Sequence, residues 1–180
     1  MLIEKYTQEY SKLANAFTCG NSVIDNFLQN GNALDCNQGI TYVMLSENKD
    51  FIIGYYNIEV GRVDMIEEVG EIQYYTIMGG SVNINYLAIH SDYQGTRVAK
   101  FNNKNIYLGD ILLRDCEQRI VKLRNQVGIS FITVSSTEDG YHLYHERNSY
   151  ANFESDMNIV VQESDLSCYK LYKCIDDIIS

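Results

Sequence analysis

The chain has 180 residues and a formal net charge of −10, from 24 acidic against 14 basic side chains. Its 46% hydrophobic and 21% charged residues exclude a disordered chain, and the length suits one domain, residues 1–180, better than two. No apolar run reaches bilayer length and no leader pattern opens the chain, so a cytoplasmic protein without membrane contact is expected, and the acidic balance disfavours nucleic acid as a partner.

Five cysteines form no CxxC pair and are odd in number, which reads as buried thiols in a reducing compartment. Three scattered histidines give no ligand spacing, so no metal is expected.

Residues 1–15 are polar and are left open. Asn21 and Ser22 are capping residues, and Val23, Ile24, Phe27 and Leu28 follow at helical spacing, predicting the first helix. Ile40 to Ser46 and Phe51 to Arg62 read as a hairpin across Glu47-Asn48-Lys49-Asp50. The acidic stretch Met65 to Gly70 is expected to connect to a small strand at Glu71 to Ile77.

Val82 to Ile89 mixes β-branched and aromatic residues as a central strand does, and His90-Ser91-Asp92-Tyr93-Gln94-Gly95 ends it. His90 is expected on the surface. From Leu108 the apolar residues Ile111, Leu112, Cys116, Ile120, Leu123 and Val127 mark a helix with Gly109 in its first turn. Glycine there is unfavourable unless packing or a ligand requires it. A helix start carries unpaired N–H groups and a positive dipole end, so a pyrophosphate cradle is one reading, and plain turn and packing roles the other.

Ile129 to Val134 reads as a buried parallel strand, Glu138 to Arg147 as a helix ending at Asn148-Ser149, and Phe153 to Glu163 and Cys168 to Ile175 as extended segments.

Three strings then become recognisable: Leu87-Ala88-Ile89 with His90 to Gly95, Leu108-Gly109-Asp110-Ile111, and Tyr141-His142-Leu143-Tyr144-His145. In this order they resemble the GCN5-related N-acetyltransferase superfamily. Phe17-Thr18-Cys19-Gly20-Asn21 and Ile53-Gly54-Tyr55-Tyr56 are similar to its toxin subgroup, which modifies aminoacyl-tRNA. The resemblance implies an α+β fold, a mixed central sheet flanked by helices with one splayed strand pair. It implies acetyl-CoA as cosubstrate and a primary amine as acceptor, with the tRNA-acetylating toxin and a non-enzymatic acetyl-CoA-binding module as alternatives. A homodimer is left open.

The site implied by the resemblance uses main-chain groups of Leu87, Ala88 and Ile89 for the pantetheine arm. Gln94, Gly95, Thr96, Arg97, Leu108, Gly109 and Asp110 are set near the pyrophosphate. Tyr144 is the implied acid that protonates the leaving thiolate, and Glu59, or else Asn85-Tyr86 on the central strand, is the candidate for ordering the water that takes the amine proton. The chain departs from the family in two places. Residues 96–107, with Arg97, Lys100 and Lys104, expand a loop that is normally compact, and Ser149 stands where glycine usually ends the tyrosine helix.

Overall fold

The computed structural model describes residues 1–160 and 168–179. The expected extended segment Phe153 to Glu163 therefore lies partly outside the described residues. Main-chain ladders place seven strands in the order β1 (Leu2–Lys5), β2 (Ile40–Leu45), β3 (Ile52–Val69), β4 (Ile72–Ile89), β7 (Ile129–Ser136), β10 (Tyr169–Cys174) and β8 (Ala151–Asn152). A further strand, β9 (Met157–Val160), pairs with β3, while β5 (Arg97–Phe101) and β6 (Lys104–Tyr107) form a separate two-stranded sheet. The helices are α1 (Ser11–Ala14), α2 (Ser22–Gln29), α3 (Leu108–Val127), α4 (Glu138–Tyr141) and α5 (Asp176–Ile179). No helix among the described residues is long and apolar enough to cross a membrane.

Two compact units divide the chain, with β3, β4 and α3 running through both. The first comprises Met1–Glu59 and Asn85–Cys116. In it β1 and β3 flank β2, both antiparallel to it. Apolar positions two apart on the strands meet the α2 stripe, burying Phe17, Phe27, Leu28, Val43, Leu45, Ile52, Tyr55 and Ala88 in one core. Helix α2 begins where the sequence predicts, because the Asn21 side chain accepts from the amides of Val23 and Ile24. Its first turn is fixed to the core by the Tyr55 hydroxyl, which donates to the Ile24 carbonyl at 2.6 Å.

The second unit comprises Val60–Ile84 and Glu117–Ser180. Here β7 lies parallel to β4, with Gly80 opposite Ile129 and Ile84 opposite Val134, and antiparallel to β10. The parallel ladder ends at that last pair, while β4 itself continues to Ile89 and β7 to Ser136. Ile129, Ile132, Thr133 and Val134 are buried, as an interior parallel strand requires.

Four expectations need correction. Of the five cysteines expected as buried thiols, Cys116 is buried, Cys19, Cys168 and Cys174 are half-buried and Cys36 is exposed. Met65 to Ile77 is not a connector with a small strand: β3 and β4 are each 18 residues long and turn back through Gly70, at φ +68°. The outer parts of this arm lie in solvent, so no alternation of buried and exposed residues marks them. His90 is buried rather than superficial, because Phe17, Phe51 and Tyr93 close around its ring. On α3 the buried stripe is Leu108, Leu112, Leu113, Cys116 and Ile120, whereas Leu123 and Val127 are exposed in its last turns.

Candidate active site

In the first unit, the direction of the β4 main chain is set by one bond. The His90 N–H donates to the Ile53 carbonyl of β3 at 2.8 Å. Main-chain groups alternate along a strand, so Ala88 faces β3 with His90, while Leu87 and Ile89 present theirs to the opposite edge. The approach of β4 to β3 is unusually close at Gly54. A Cβ there would stand 2.7 Å from the Ala88 carbonyl oxygen and 3.2 Å from a Leu112 methyl of α3. Gly54 therefore fixes the depth at which Leu87–Ile89 lie, and α3 is tied to the same strand by Tyr56, whose hydroxyl donates to Asp115 at 2.6 Å.

After Ile89 the chain is strapped to the N-terminal segment. The Ser91 amide and hydroxyl both donate to the Thr18 carbonyl, at 2.8 and 2.9 Å. The Gln94 side-chain amide donates to the carbonyls of Cys19, at 2.8 Å, and Ile89, at 3.0 Å. Asp25 of α2 anchors the strap in turn, accepting from the Cys19 amide at 2.7 Å and the Thr18 hydroxyl at 2.9 Å. Burial first, and then the Asp25 carboxylate, push the Cys19 thiol up to about 11, so it is protonated at neutral pH.

The sequence-predicted phosphate residues now separate. The Thr96 amide is taken by the Tyr93 carbonyl at 3.2 Å, and the Leu108 amide by the Thr96 carbonyl at 3.1 Å. Gln94 is committed through its side chain. Asp110 turns its carboxylate back onto the Tyr107 amide at 2.8 Å, the returning half of a capping box, so it holds the start of α3 instead of facing outward as an anion. Gly95 and Gly109 remain. Gly95 has φ +70° with nothing within 4 Å of a Cβ position, so its glycine serves a left-handed turn and leaves room for close approach. Gly109 lies in the first turn of α3, where amides have no intrahelical partner. Arg97 is exposed at the base of the β5–β6 hairpin.

Also in the first unit, Asn57 is fully buried and links two strands. Its side-chain amide donates to the Thr41 hydroxyl at 3.0 Å, and its carbonyl accepts from Asn85 at 2.8 Å. Glu59 follows two residues later on the same face of β3, half-buried. Burial first, and the Glu59 charge second, raise the Tyr86 phenol above its ordinary range.

In the second unit, Tyr144 is buried at 5% exposure in a π-helical stretch, His142–Arg147, that continues α4. Its carbonyl accepts from the Tyr150 amide at 3.0 Å, and its ring meets that of Tyr150 edge-on at 5.3 Å. The turn closing this stretch is made by Ser149 at φ +60°, the conformation glycine would adopt without strain. Lys173 of β10 fastens the turn, donating to the Asn148 carbonyl and to Glu117, each at 3.0 Å, and lying over the Tyr150 ring. His142 pairs with Glu146, and His145 contacts the Tyr150 carbonyl at 2.7 Å, so both histidines serve the local fold.

No known family profile matches the sequence, and no curated protein does. Solved structures do match. A crystal structure of a bacterial toxin aligns over 99% of this chain and 92% of its own, at TM-score 0.73 and 16% identity. The AtaT toxin, as a tyrosine-to-phenylalanine mutant bound to the C-terminus of the antitoxin AtaR and to acetyl-CoA, aligns over 98% and 94% at TM-score 0.62 and 16% identity. AtaT complexed with acetyl-methionyl-tRNAfMet aligns over 99% and 96% at TM-score 0.67 and 16% identity. The chain has the GCN5-related N-acetyltransferase fold, as these solved toxin structures do.

Within this acetyltransferase fold, sequence reasoning missed Gly54 as the spacer under β4, and Thr18, Cys19, Asp25 and Gln94 as the strap. Thr18, Cys19 and Gly54 lie within the N-terminal and Ile53–Tyr56 strings and Gln94 within the loop string, so the residues were in view while these roles were not. Residues 96–107 are a β-hairpin, and the tight Asn102-Asn103 turn, with φ of +46° and +62°, is the feature that could have announced it.

Proposed function

We propose that the chain is a single acetyltransferase domain that moves the acetyl group of acetyl-CoA onto the amine of an aminoacyl-tRNA. The full-length likeness to toxins, one of them complexed with an acetylated aminoacyl-tRNA, carries the acceptor choice. The disfavouring of nucleic acid by net charge applies to the average surface and leaves local basic elements free to act.

The residues fit acetyl-CoA. Leu87 offers main-chain groups and Ile89 its amide along one edge, as an added extended segment needs, and Gly95 and Gly109 stand where a diphosphate can approach amides at a helix start. When bound, acetyl-CoA supplies an activated acetyl thioester.

The chain's own groups then have separate tasks. Glu59, acting through water, receives the proton released as the amine nitrogen bonds to the acetyl carbon. Tyr144 gives its phenolic proton to the sulfur as the C–S bond breaks, and regains one from solvent. A phenol, with an ordinary pKa of about 10, is protonated at neutral pH and suits a thiolate leaving group.

The test is transfer of radiolabelled acetyl from acetyl-CoA to charged tRNA. Label should appear on the aminoacyl end, and Tyr144→Phe should lower kcat by about a hundredfold with the acetyl-CoA affinity retained. Acetyl-CoA binding without transfer to any charged tRNA or free amine would instead identify a binding module.

A further inference from the structure

The hairpin of β5 and β6 stands apart from the rest of the charge distribution. Residues 96–107 hold Arg97, Lys100 and Lys104 and no carboxylate, in a chain whose net charge is −10. None of these three cations meets a carboxylate among the described residues, and every residue from Arg97 to Asn105 is exposed. Phe101 is 67% exposed, an apolar ring that no neighbour covers among the described residues.

Strand register sorts the side chains. Phe101 opposes Lys104 and Ala99 opposes Ile106, so one face carries the ring and a lysine together. Lys100 opposes Asn105 and Arg97 opposes Tyr107, putting two cations and two hydrogen-bonding groups on the other face. Arg97 sits at the base, next to the start of α3, where a cofactor phosphate is expected. Lys100, Phe101 and Lys104 sit at the tip around the Asn102-Asn103 turn. The strand of five residues is about 16 Å long, so base and tip serve different groups.

We infer that the tip of this hairpin, Lys100, Phe101 and Lys104, is an RNA-contacting arm that holds the acceptor tRNA by its phosphates and stacks Phe101 on an unpaired base. The inference rests on the proposed acceptor. Lys104 beside the exposed Phe101 ring, with Lys100 at the same tip on the other face, offers the charge and the π-face that suit a single-stranded nucleic acid end. In a chain of net charge −10, a segment with three cations and no carboxylate is one that a polyanion approaches without local repulsion.

Binding of unacylated bulk tRNA and of acetyl-CoA is measured for the wild-type protein and for Lys100→Ala/Lys104→Ala and Phe101→Ala, with folding of each checked by circular dichroism. Wild-type protein should bind tRNA with a salt-dependent affinity. The double variant should bind at least about tenfold more weakly, with a slope of log affinity against log salt shallower by about 1.5. Phe101→Ala should weaken binding with its salt slope unchanged. Acetyl-CoA affinity should be the same in all three.

Equal tRNA affinity in variants and wild type would overturn the arm while leaving acetyl transfer to tRNA intact. Loss of acetyl-CoA affinity in the double variant would reassign the lysines to the cofactor. Wild-type protein that neither binds nor acetylates tRNA would remove the acceptor reading and the arm with it.

Discussion

Gly54→Ala tests the claim that main-chain depth at β4 is set from beneath. The new Cβ would meet three atoms: the Ala88 carbonyl oxygen and the Ile89 Cδ1, each at 2.7 Å, and a Leu112 methyl at 3.2 Å. The two methyls are ends of side chains and can rotate. The carbonyl oxygen cannot, so the backbone of β4 must move away from β3. Overpacking of this kind costs about 1–3 kcal/mol. Replacing a strand glycine gives back about 0.5–1 kcal/mol of backbone entropy, leaving a net loss of about 1 kcal/mol or somewhat more. With a urea slope of about 2 kcal/mol/M, the unfolding midpoint should fall by about 0.5–1 M. The moved segment is Leu87–Ile89, so acetyl-CoA affinity measured by calorimetry should fall by about tenfold as well. An unchanged midpoint together with unchanged affinity would refute the spacer role of Gly54.

Other consequences can be checked in the same assays. Glu117→Gln leaves the Lys173 ammonium buried without its carboxylate, and should cost about 3–5 kcal/mol by denaturant unfolding, with Lys173→Met in the same background recovering part of the loss. Ser149→Gly relieves the left-handed backbone and should raise stability by up to about 1 kcal/mol, or about 2–4 °C in Tm. Cys19, with its thiol raised to about 11, should be alkylated at pH 8 far more slowly than the exposed Cys36 in a mass-spectrometric time course. Because the unfolded thiol ionises near 9 and the folded one only near 11, the Cys19 contribution to stability is complete below pH 9 and is lost as pH rises from 9 through 11.

What the sequence disclosed follows from where each element spends its side chains. Helices α2 and α3 and strand β7 bury one face or both, and their apolar spacing records it. The arm of β3 and β4 beyond Val63 and the hairpin of β5 and β6 bury little, so hydrophobic pattern carries no trace of them. His90 was misplaced for a related reason: the rings that enclose it, Phe17 and Phe51, come from distant parts of the chain. Among the expected site residues, burial of Tyr144 was not predictable from its helix alone, since its cover includes Tyr150 across the Ser149 turn.

At the proposed phosphate end, residue type alone does not say which group of a residue is committed to the fold. Gln94, Thr96, Leu108 and Asp110 were expected as ligand contacts because they occupy motif positions, yet each has a group committed to the protein itself. In the proposed site they hold the loop and helix start that carry Gly95 and Gly109. A site whose working groups are amides is written in the residues that position them. A glutamine bonded to two carbonyls and a carboxylate capping a helix are therefore as much part of it as any residue that touches the ligand. It follows that Gln94→Ala, which removes no proposed ligand contact, should weaken acetyl-CoA binding by calorimetry while Gln94→Glu, an acceptor facing two acceptors, should weaken it further. Full affinity in Gln94→Glu would show that the strap does not hold the loop.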